Sequence, residues 1–169
     1  LSPTYESDQT MLIVVRQHLY RSVDGGQTWN RIVNGLDTCS PYISLAATHR
    51  DTAPVFYLGT ENDGLYRSTD AGTSWEAVSF SFGTKRIDRL ESAGPVTFAF
   101  TRKGGFRNIS GSDSWKRIRT LPTSREISAT AGAEIEGQSI FAIAQSDDLL
   151  VSKDAGKTWK RESSPNSSV

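Results

Sequence analysis

Four acidic residues lie in short polar segments where paired carboxylates could do acid–base chemistry. Glu61 and Asp63 belong to the segment TENDG, and Asp147 and Asp148 belong to QSDD. Hydrolysis of a glycosidic bond needs one carboxyl group as the acid and another as base or nucleophile, on opposite sides of the bond. Glu61, Asp63 and Asp147 are therefore candidate binding residues if these segments meet on one face of the fold. The alternative, which we favour over catalysis, is that all four are solvated loop carboxylates.

A second chemical feature is a cluster of basic residues between Lys85 and Arg125. This stretch holds ten basic and three acidic residues, so it carries a net charge of +7 in a chain whose total is zero. Such a sector can attract an acidic protein or glycan electrostatically. The alternative, which we favour, is a solvated surface whose charges alternate with buried residues. The candidate binding residues of this sector are Arg86, Arg102, Lys103 and Arg125.

The residues suited to metal, cofactor or nucleophilic chemistry are few. His18 and His49 are the only histidines and Cys39 is the only cysteine, without the spacing typical of a metal site. No glycine-rich phosphate loop precedes a predicted helix. We therefore predict no catalytic residue, no metal and no cofactor. The balanced charge, 19 basic against 19 acidic residues, argues against a general nucleic-acid binder, and no apolar run approaches a membrane span.

A repeated motif organises the elements that carry these loops. The motif is Ser-x-Asp-x-Gly-x-(Ser/Thr)-Trp, and a weaker copy has Ser110 in the Asp position and Ser112 in the Gly position. Each of the four tryptophans closes a copy, at separations of 46, 40 and 44 residues, so the motif marks a structural repeat. Its residues are Ser22, Asp24, Gly26, Thr28 and Trp29; Ser68, Asp70, Gly72, Ser74 and Trp75; Trp115 in the weak copy; and Ser152, Asp154, Gly156, Thr158 and Trp159.

The chemistry of this box is that of a turn with its own hydrogen bonds. An Asp that begins a turn can accept a bond from the backbone N–H two residues on, and the Gly can take a positive φ. Ser and Thr hydroxyls satisfy further backbone groups. We expect the tryptophan to bury its ring beside the next repeat, with its N–H near the solvent. Metal binding or catalysis by the Asp is disfavoured, because one carboxylate per box is too few for calcium.

The segments around each box have a period of two, which is typical of strands. Continuous apolar runs suggest doubly buried strands, and further strands flank each box, which makes four short strands per repeat. The apolar runs are MLIVV (11–15), VFYLGT (55–60), VTFAFT (96–101) and SIFAIA (139–144), and the segments after the boxes are WNRIV (29–33), WEAVSF (75–80), WKRIRT (115–120) and WKRES (159–163). Four strands every 40–46 residues predict an all-β chain built of β-propeller blades. A β-sandwich would not repeat one box every fourth strand.

At SVDGGQTW, STDAGTSW and SKDAGKTW the sequence resembles the Asp-box, or BNR, repeat family of β-propellers. The family includes sialidases, xyloglucan-cleaving glycosidases, sortilin-type receptors and a photosystem II assembly factor. The resemblance implies that the box is a structural turn between the third and fourth strands, away from any active site. A sialidase would also have an arginine triad, a Tyr–Glu pair and an Arg-Ile-Pro motif, and no Arg-Ile-Pro occurs in this sequence.

The repeat divides the chain into about four antiparallel blades. We predict blades at 1–36, 37–82, 83–122 and 123–162, followed by a flexible tail at 163–169. Blade one is expected to begin inside its first strand, at LSPTY. Because propellers of this family usually have six or more blades, we expect either a small closed ring, a part of a larger ring, or a half-ring completed by missing blades or a second copy.

The most favoured function is a non-enzymatic binding or scaffold module. It would recognise a protein or glycan ligand through the loop face, which lies opposite the boxes and includes the segments TENDG, TRKGG and QSDD. The alternative is a glycoside hydrolase, sialidase-like or xyloglucanase-like, of which this chain is a fragment. Paired carboxylates about 5–10 Å apart in a central pocket would favour the hydrolase. An extracellular or periplasmic location is favoured.

Overall fold

The computed structural model describes residues 1–51, 53–110, 112, 114–121, 127–145 and 148–162. Strands account for most of the regular structure in these residues, as the period-two pattern predicts. Among them, no helix is both long and apolar enough to cross a membrane. The predicted tail at 163–169 and the candidate residues Arg125 and Asp147 lie outside the described residues.

The described strands form four antiparallel sheets, and neighbouring strands in each sheet follow chain order. Sheet 1 contains β1 (Met11–Val15), β2 (His18–Ser22) and β3 (Asn30–Ile32). Sheet 2 contains β4 (Tyr42–Arg50), β5 (Ala53–Thr60), β6 (Leu65–Ser68) and β7 (Glu76–Ala77). Sheet 3 contains β8 (Arg89–Ala93), β9 (Val96–Thr101), β10 (Gly104–Ile109) and β11 (Trp115–Arg117). Sheet 4 contains β12 (Ile127–Ile135), β13 (Gln138–Gln145), β14 (Asp148–Ser152) and β15 (Lys160–Glu162). The all-β class and the four-stranded antiparallel unit are confirmed.

Sheet 1 differs from the prediction, because the segment LSPTY is not part of a strand. Residues Tyr5–Asp8 instead form a short helix, α1. The carboxylate of Asp8 accepts hydrogen bonds from the hydroxyls of Ser2 and Thr4, both at 2.7 Å, and from the backbone N–H of Thr10 at 2.8 Å. Such local bonds from Ser, Thr and Asp compete with strand pairing. The expected first strand of blade one was therefore wrong for these residues.

The box residues occupy equivalent strand-pairing positions in all four sheets. In the strong boxes the Ser ends the strand before the outer strand and pairs with the apolar run: Ser22 with Met11, Ser68 with Phe56, and Ser152 with Phe141. In sheet 3, Asn108 takes that position and pairs with Thr97. The four tryptophans therefore occupy matching places at the start of the outer strands, which confirms the repeat.

The hydrophobic core lies between consecutive sheets. One cluster joins sheets 1 and 2, the next joins sheets 2 and 3, and the third joins sheets 3 and 4. Strands β5 and β9 are buried along almost their whole length because their sheets have a neighbour on both sides. Strands β1 and β13 alternate between buried and more exposed residues, because their sheets pack on one side only among the described residues. The prediction of doubly buried strands was therefore wrong for these two.

Three of the four box tryptophans pack against the preceding sheet rather than the next one. The Trp115 ring centroid lies 5.3 Å from that of Tyr57 in sheet 2, and the Trp159 centroid lies 5.9 Å from that of Phe98 in sheet 3. Trp75 belongs to the cluster that contains Leu12 of sheet 1. The register places each indole on the side of its sheet that faces the earlier repeat, and a sequence pattern does not specify that side.

Candidate functional site

Three backbone segments meet at one end of sheets 2 and 3, opposite the box turns. Pro41 O accepts a hydrogen bond from Glu61 N at 2.9 Å, Lys85 O accepts one from Gly64 N at 2.8 Å, and Thr60 O accepts one from Ile87 N at 3.0 Å. We call this region the loop corner, and it comprises residues 40–41, 60–64 and 83–88. Because backbone bonds tie the three segments together, the loop corner holds its side chains in a defined arrangement.

Arg86 is the centre of a charged triad within the loop corner. Its guanidinium donates to the carboxylate of Glu61 and to that of Asp88, the latter at 2.6 Å. The hydrogen bond to Asp88, followed by that to Glu61, outweighs desolvation and raises the pKa of Arg86. The guanidinium is thus neutralised by two carboxylates that it also orients.

Asp63 is held in a similar way by a tyrosine and a lysine. The Tyr66 hydroxyl donates to Asp63, and Lys85 Nζ lies 3.8 Å from the other carboxylate oxygen. Burial, together with the hydrogen bond to Asp63, raises the pKa of Tyr66 to about 12. Tyr66 therefore stays protonated and serves Asp63 as a donor at physiological pH.

Arg102 and Lys103 form the turn between β9 and β10, beside the loop corner. The carbonyl of Lys103 accepts a hydrogen bond from Arg117 Nη2 at 2.7 Å. An added Cβ at Gly83 would lie 3.5 Å from the Lys103 stem, so the turn of sheet 3 adjoins the 83–88 segment. Both turn residues are exposed. The structure thus brings Lys103 and Lys85 to the same side of the molecule.

The structure does not bring all of the loop carboxylates of the segments TENDG and QSDD together. Glu61 and Asp63 lie in the loop corner on sheet 2. Asp148 begins β14 on sheet 4, with sheet 3 in between, and pairs with Arg161 at 2.9 Å. Asp147 and Arg125 are not described.

Sequence reasoning missed a cleft beside the loop corner. The cleft has a volume of about 370 Å³, and its lining includes Leu65, Val78, Phe80 and Phe82, with Asp63 and Lys85 at one end. The sequence predicted that the strand after the second box continues to residue 80, but β7 ends at Ala77. The apolar alternation V-S-F-S-F at 78–82 was the available signal. In the structure Phe82 is buried against Phe106 and Trp115 of sheet 3.

The box turns, at the opposite end of the sheets, form hydrogen bonds within themselves. Asp70 Oδ1 accepts from the backbone N–H of Ser74 at 2.9 Å, and Oδ2 accepts from the Ser74 hydroxyl at 2.6 Å. The hydroxyl of Ser68 accepts from Gly72 N at 2.9 Å. The carboxylate therefore reaches four residues along the chain, not the expected two. Burial alone would raise the pKa of Asp70, but these hydrogen bonds outweigh it and lower the pKa.

The tryptophan N–H groups depart from the expectation of a solvent-facing position. In box one, Trp29 Nε1 donates to the carbonyl of Gly26 at 3.0 Å. The Nε1 atoms of Trp75, Trp115 and Trp159 are buried and make no hydrogen bond within the described parts of the chain. These rings lie deeper because another sheet covers them.

In the weak box the central side chain donates hydrogen bonds to backbone carbonyls, whereas the Asp of a strong box accepts them. Asn108 is 1% exposed, and its Nδ2 donates to the carbonyl of Ser112 at 2.6 Å and to that of Ser114 at 2.9 Å. Its Oδ1 accepts from the Tyr57 hydroxyl of sheet 2 at 3.3 Å. An amide donor has thus replaced the carboxylate acceptor. Sequence reasoning missed this role, although Asn108 stands at the serine position of the box.

Comparison with known proteins identifies the repeat. Residues 20–31, which span the first box, match the BNR/Asp-box repeat. The chain thus contains a BNR/Asp-box repeat. The match includes Ser22, Asp24 and Trp29, whose hydrogen bonds are those of the structural turn described above.

The curated relatives of the chain are longer than the chain itself. The chain is 31% identical over 122 residues to the dispase autolysis-inducing protein of Streptomyces mobaraensis, a match that covers 69% of this chain and 31% of that protein. The match to vacuolar protein sorting/targeting protein 10 of Colletotrichum graminicola is also 31% identical, over 77 residues, and covers 44% of this chain and 5% of that protein. The chain thus spans less than a third of the length of these curated relatives.

Solved structures support the β-propeller fold of the chain. The GH74 xyloglucanase of Xanthomonas campestris superposes with a TM-score of 0.65 at 17% identity, covering 90% of this chain and 28% of the enzyme. YCF48 of Cyanidioschyzon merolae superposes with a TM-score of 0.60 at 16% identity, covering 94% of this chain and 53% of YCF48. YCF48 bound to the D1 peptide also matches, with a TM-score of 0.51 at 16% identity, covering 90% of this chain and 63% of YCF48. At these identities the likeness concerns the fold alone, and it includes both a glycoside hydrolase and a peptide-bound protein.

Proposed function

We propose that this chain is a non-enzymatic binding module that recognises a protein or carbohydrate through the loop face, with its ligand site at the loop corner. The observation that carries the proposal is the pairing of the charges there. Arg86 binds the carboxylates of Glu61 and Asp88, and Asp63 is held by Tyr66 and Lys85. Such pairs make a pre-organised polar surface, which a binding module needs.

The same pairing disfavours a hydrolytic role for these carboxylates. A glycosidase acid must hold its proton near neutral pH, which requires an apolar or acidic environment, and its partner must face it across the substrate. Glu61 instead contacts the guanidinium of Arg86, which is a cation.

A rigid apolar cleft next to a polar rim supports a protein ligand over a carbohydrate. Ligand sites are commonly apolar clefts with a few polar groups that fix orientation. The cleft beside the loop corner has this character, because its lining combines Leu65, Val78, Phe80 and Phe82 with the charged residues Asp63 and Lys85. Among the solved structures of this fold, the YCF48 complex with the D1 peptide shows that such a propeller can bind a peptide.

The test compares two matched variants on a peptide array and a glycan array. Ser81→Arg places a bulky side chain in the cleft, and Thr69→Arg places the same side chain at the box turn of the same sheet. We expect Ser81→Arg to abolish specific peptide binding and Thr69→Arg to retain it. Equal loss in both variants would contradict a loop-corner site.

The glycoside hydrolase remains the second candidate, because the xyloglucanase shares the fold. Its test is the release of reducing ends from xyloglucan and of sialic acid from sialyllactose. Release that Glu61→Gln or Asp63→Asn abolishes, in variants with unchanged circular dichroism, would overturn the binding-module proposal. We expect no release from either substrate.

A further inference from the structure

The structure divides the basic sector of sheet 3 into two groups with different roles. Three arginines make structural bonds: Arg86 to Glu61 and Asp88, Arg89 to the carbonyls of 127 and 128, and Arg107 to the carbonyl of 155. Arg89 and Arg107 thereby join sheet 3 to sheet 4. The other described basic residues of the sector are all exposed, and they are Lys85, Arg102, Lys103, Lys116, Arg117 and Arg119.

Three of these surface cations are gathered at one place beside the loop corner. The Lys85 side chain is 76% exposed, and its ion pair with Asp63 is long, at 3.8 Å. Lys103 packs its stem near Gly83, two residues before Lys85. Arg117 is positioned by the bond from its Nη2 to the carbonyl of Lys103, which uses one of its five N–H donors. Exposed cations with weak or no partners can exchange water for an acidic ligand at low cost.

The cleft lies directly against this group of cations, because Lys85 lines it. Its aromatic wall is packed against the core: the ring centroid of Phe80 lies 4.9 Å from that of Phe82, and Phe82 lies 5.1 Å from Phe106 and 5.3 Å from Trp115. These edge-to-face contacts hold the rings in a fixed arrangement before any ligand binds. An apolar side chain can therefore enter without a rearrangement of the wall.

We propose that the cleft lined by Val78, Phe80 and Phe82 binds an apolar side chain of an acidic peptide, and that Lys85, Lys103 and Arg117 bind the carboxylates that flank it. This inference rests on the proposed binding function and names the ligand class. Charge complementarity selects the acidic peptide, and the apolar cleft distinguishes it from polyanions that offer charge alone. A nucleic acid would use the cations without the cleft.

Fluorescence anisotropy can test both halves of this proposal with defined probes. The probe is a fluorescein-labelled nonapeptide with a central phenylalanine and four aspartates on each side. Two comparison probes replace the phenylalanine by serine or replace the peptide by single-stranded oligothymidylate of equal charge. We expect the serine probe and the oligothymidylate to bind at least about tenfold more weakly than the phenylalanine probe, a difference of about 1.4 kcal/mol.

Matched charge reversals locate the binding surface. The double variant Lys85→Glu/Lys103→Glu reverses two cations at the site, and Lys153→Glu/Lys157→Glu makes the same change at the box turn of sheet 4. We expect the first variant to weaken binding of the phenylalanine probe at least tenfold and the second to weaken it less than about twofold. Far-ultraviolet circular dichroism confirms that both variants are folded.

Three outcomes would overturn the proposal. They are equal binding of the phenylalanine and serine probes, equal weakening by the two double variants, and failure of the phenylalanine probe to bind at all. If the probe fails while Ser81→Arg still abolishes binding of array peptides, the ligand class is wrong but the loop-corner function stands. If array peptides also bind Ser81→Arg unchanged, the proposed function itself fails.

Discussion

The order in which the sheets pack predicts unequal roles for tryptophans in the same motif position. Trp75 is 4% exposed because sheet 1 covers it, whereas Trp29 is 38% exposed because no described sheet precedes its own. Replacing a buried tryptophan by alanine removes apolar contact and leaves a cavity, at a cost of about 3–5 kcal/mol. At Trp29 solvent fills the space and part of the ring is already hydrated. At about 25 cal/mol per Å² of buried area we expect Trp29→Ala to lower the free energy of unfolding by about 2 kcal/mol.

Urea unfolding and thermal melting, each followed by far-ultraviolet circular dichroism, measure this difference. We expect a difference of about 1–3 kcal/mol in the free energy of unfolding, so the melting temperature of Trp75→Ala should lie about 2–12 °C below that of Trp29→Ala, since 1 kcal/mol corresponds to about 2–4 °C in a chain of this size. If Trp75→Ala does not fold, the Phe variants at both positions replace the Ala variants. Acrylamide quenching of single-tryptophan variants adds a second readout. Equal stability losses, or equal protection of the two indoles from acrylamide, would refute the serial packing of the sheets on which this prediction depends.

Three further predictions concern the turns. Gly156 and Gly137 have similar φ values, 77° and 74°. An added Cβ would lie 2.2 Å from the Phe98 ring at Gly156 but would meet nothing within 4 Å at Gly137. Gly156→Ala should therefore lower the urea midpoint far more than Gly137→Ala, and equal effects would contradict the packing. Burial would raise the pKa of Asp154, but hydrogen bonds from Thr158 and Ser152 lower it from 3.8 to about 2. The free energy of unfolding should therefore fall as the pH drops from about 4 towards 2. Asp154→Asn should flatten that fall in urea titrations at acid pH. Asn108→Ala should lower the free energy of unfolding in urea by about 1–3 kcal/mol, because it leaves buried carbonyls without a donor. A loss below about 0.5 kcal/mol would exclude a stabilising role for the Asn108 amide in this turn.

Much of the local structure could be predicted because it depends on neighbours in the chain. The alternation of apolar residues and the box residues specify short strands and self-bonded turns through contacts within a few positions. The recurrence of Trp29, Trp75, Trp115 and Trp159 then indicates four equivalent sheets. The error at Tyr5–Asp8 arose where local hydrogen bonds to Asp8 competed with pairing to a neighbouring strand.

The candidate site was predicted less completely than the fold. The segments containing Glu61, Asp63 and Arg86 were expected on one face, and the structure brings them into contact. The pairing among them was not predictable, because it joins residues 25 positions apart through side-chain geometry. The cleft at 78–82 was missed because the alternation there resembles a continuing strand, and only contact with Phe106 and Trp115 of sheet 3 turns Phe82 inward.

The sequence by itself determined the β-propeller repeat, its turns and the excess of positive charge in the third repeat. The tertiary structure alone decided which side of each sheet the tryptophan covers, which arginines are bound within the protein and which cations face solvent beside a cleft. The physical reason is the sequence distance over which each kind of interaction acts. Hydrogen bonds within a turn and the two-residue period of a strand are set by adjacent residues, whereas burial and ion pairing depend on which surfaces the packed sheets bring together.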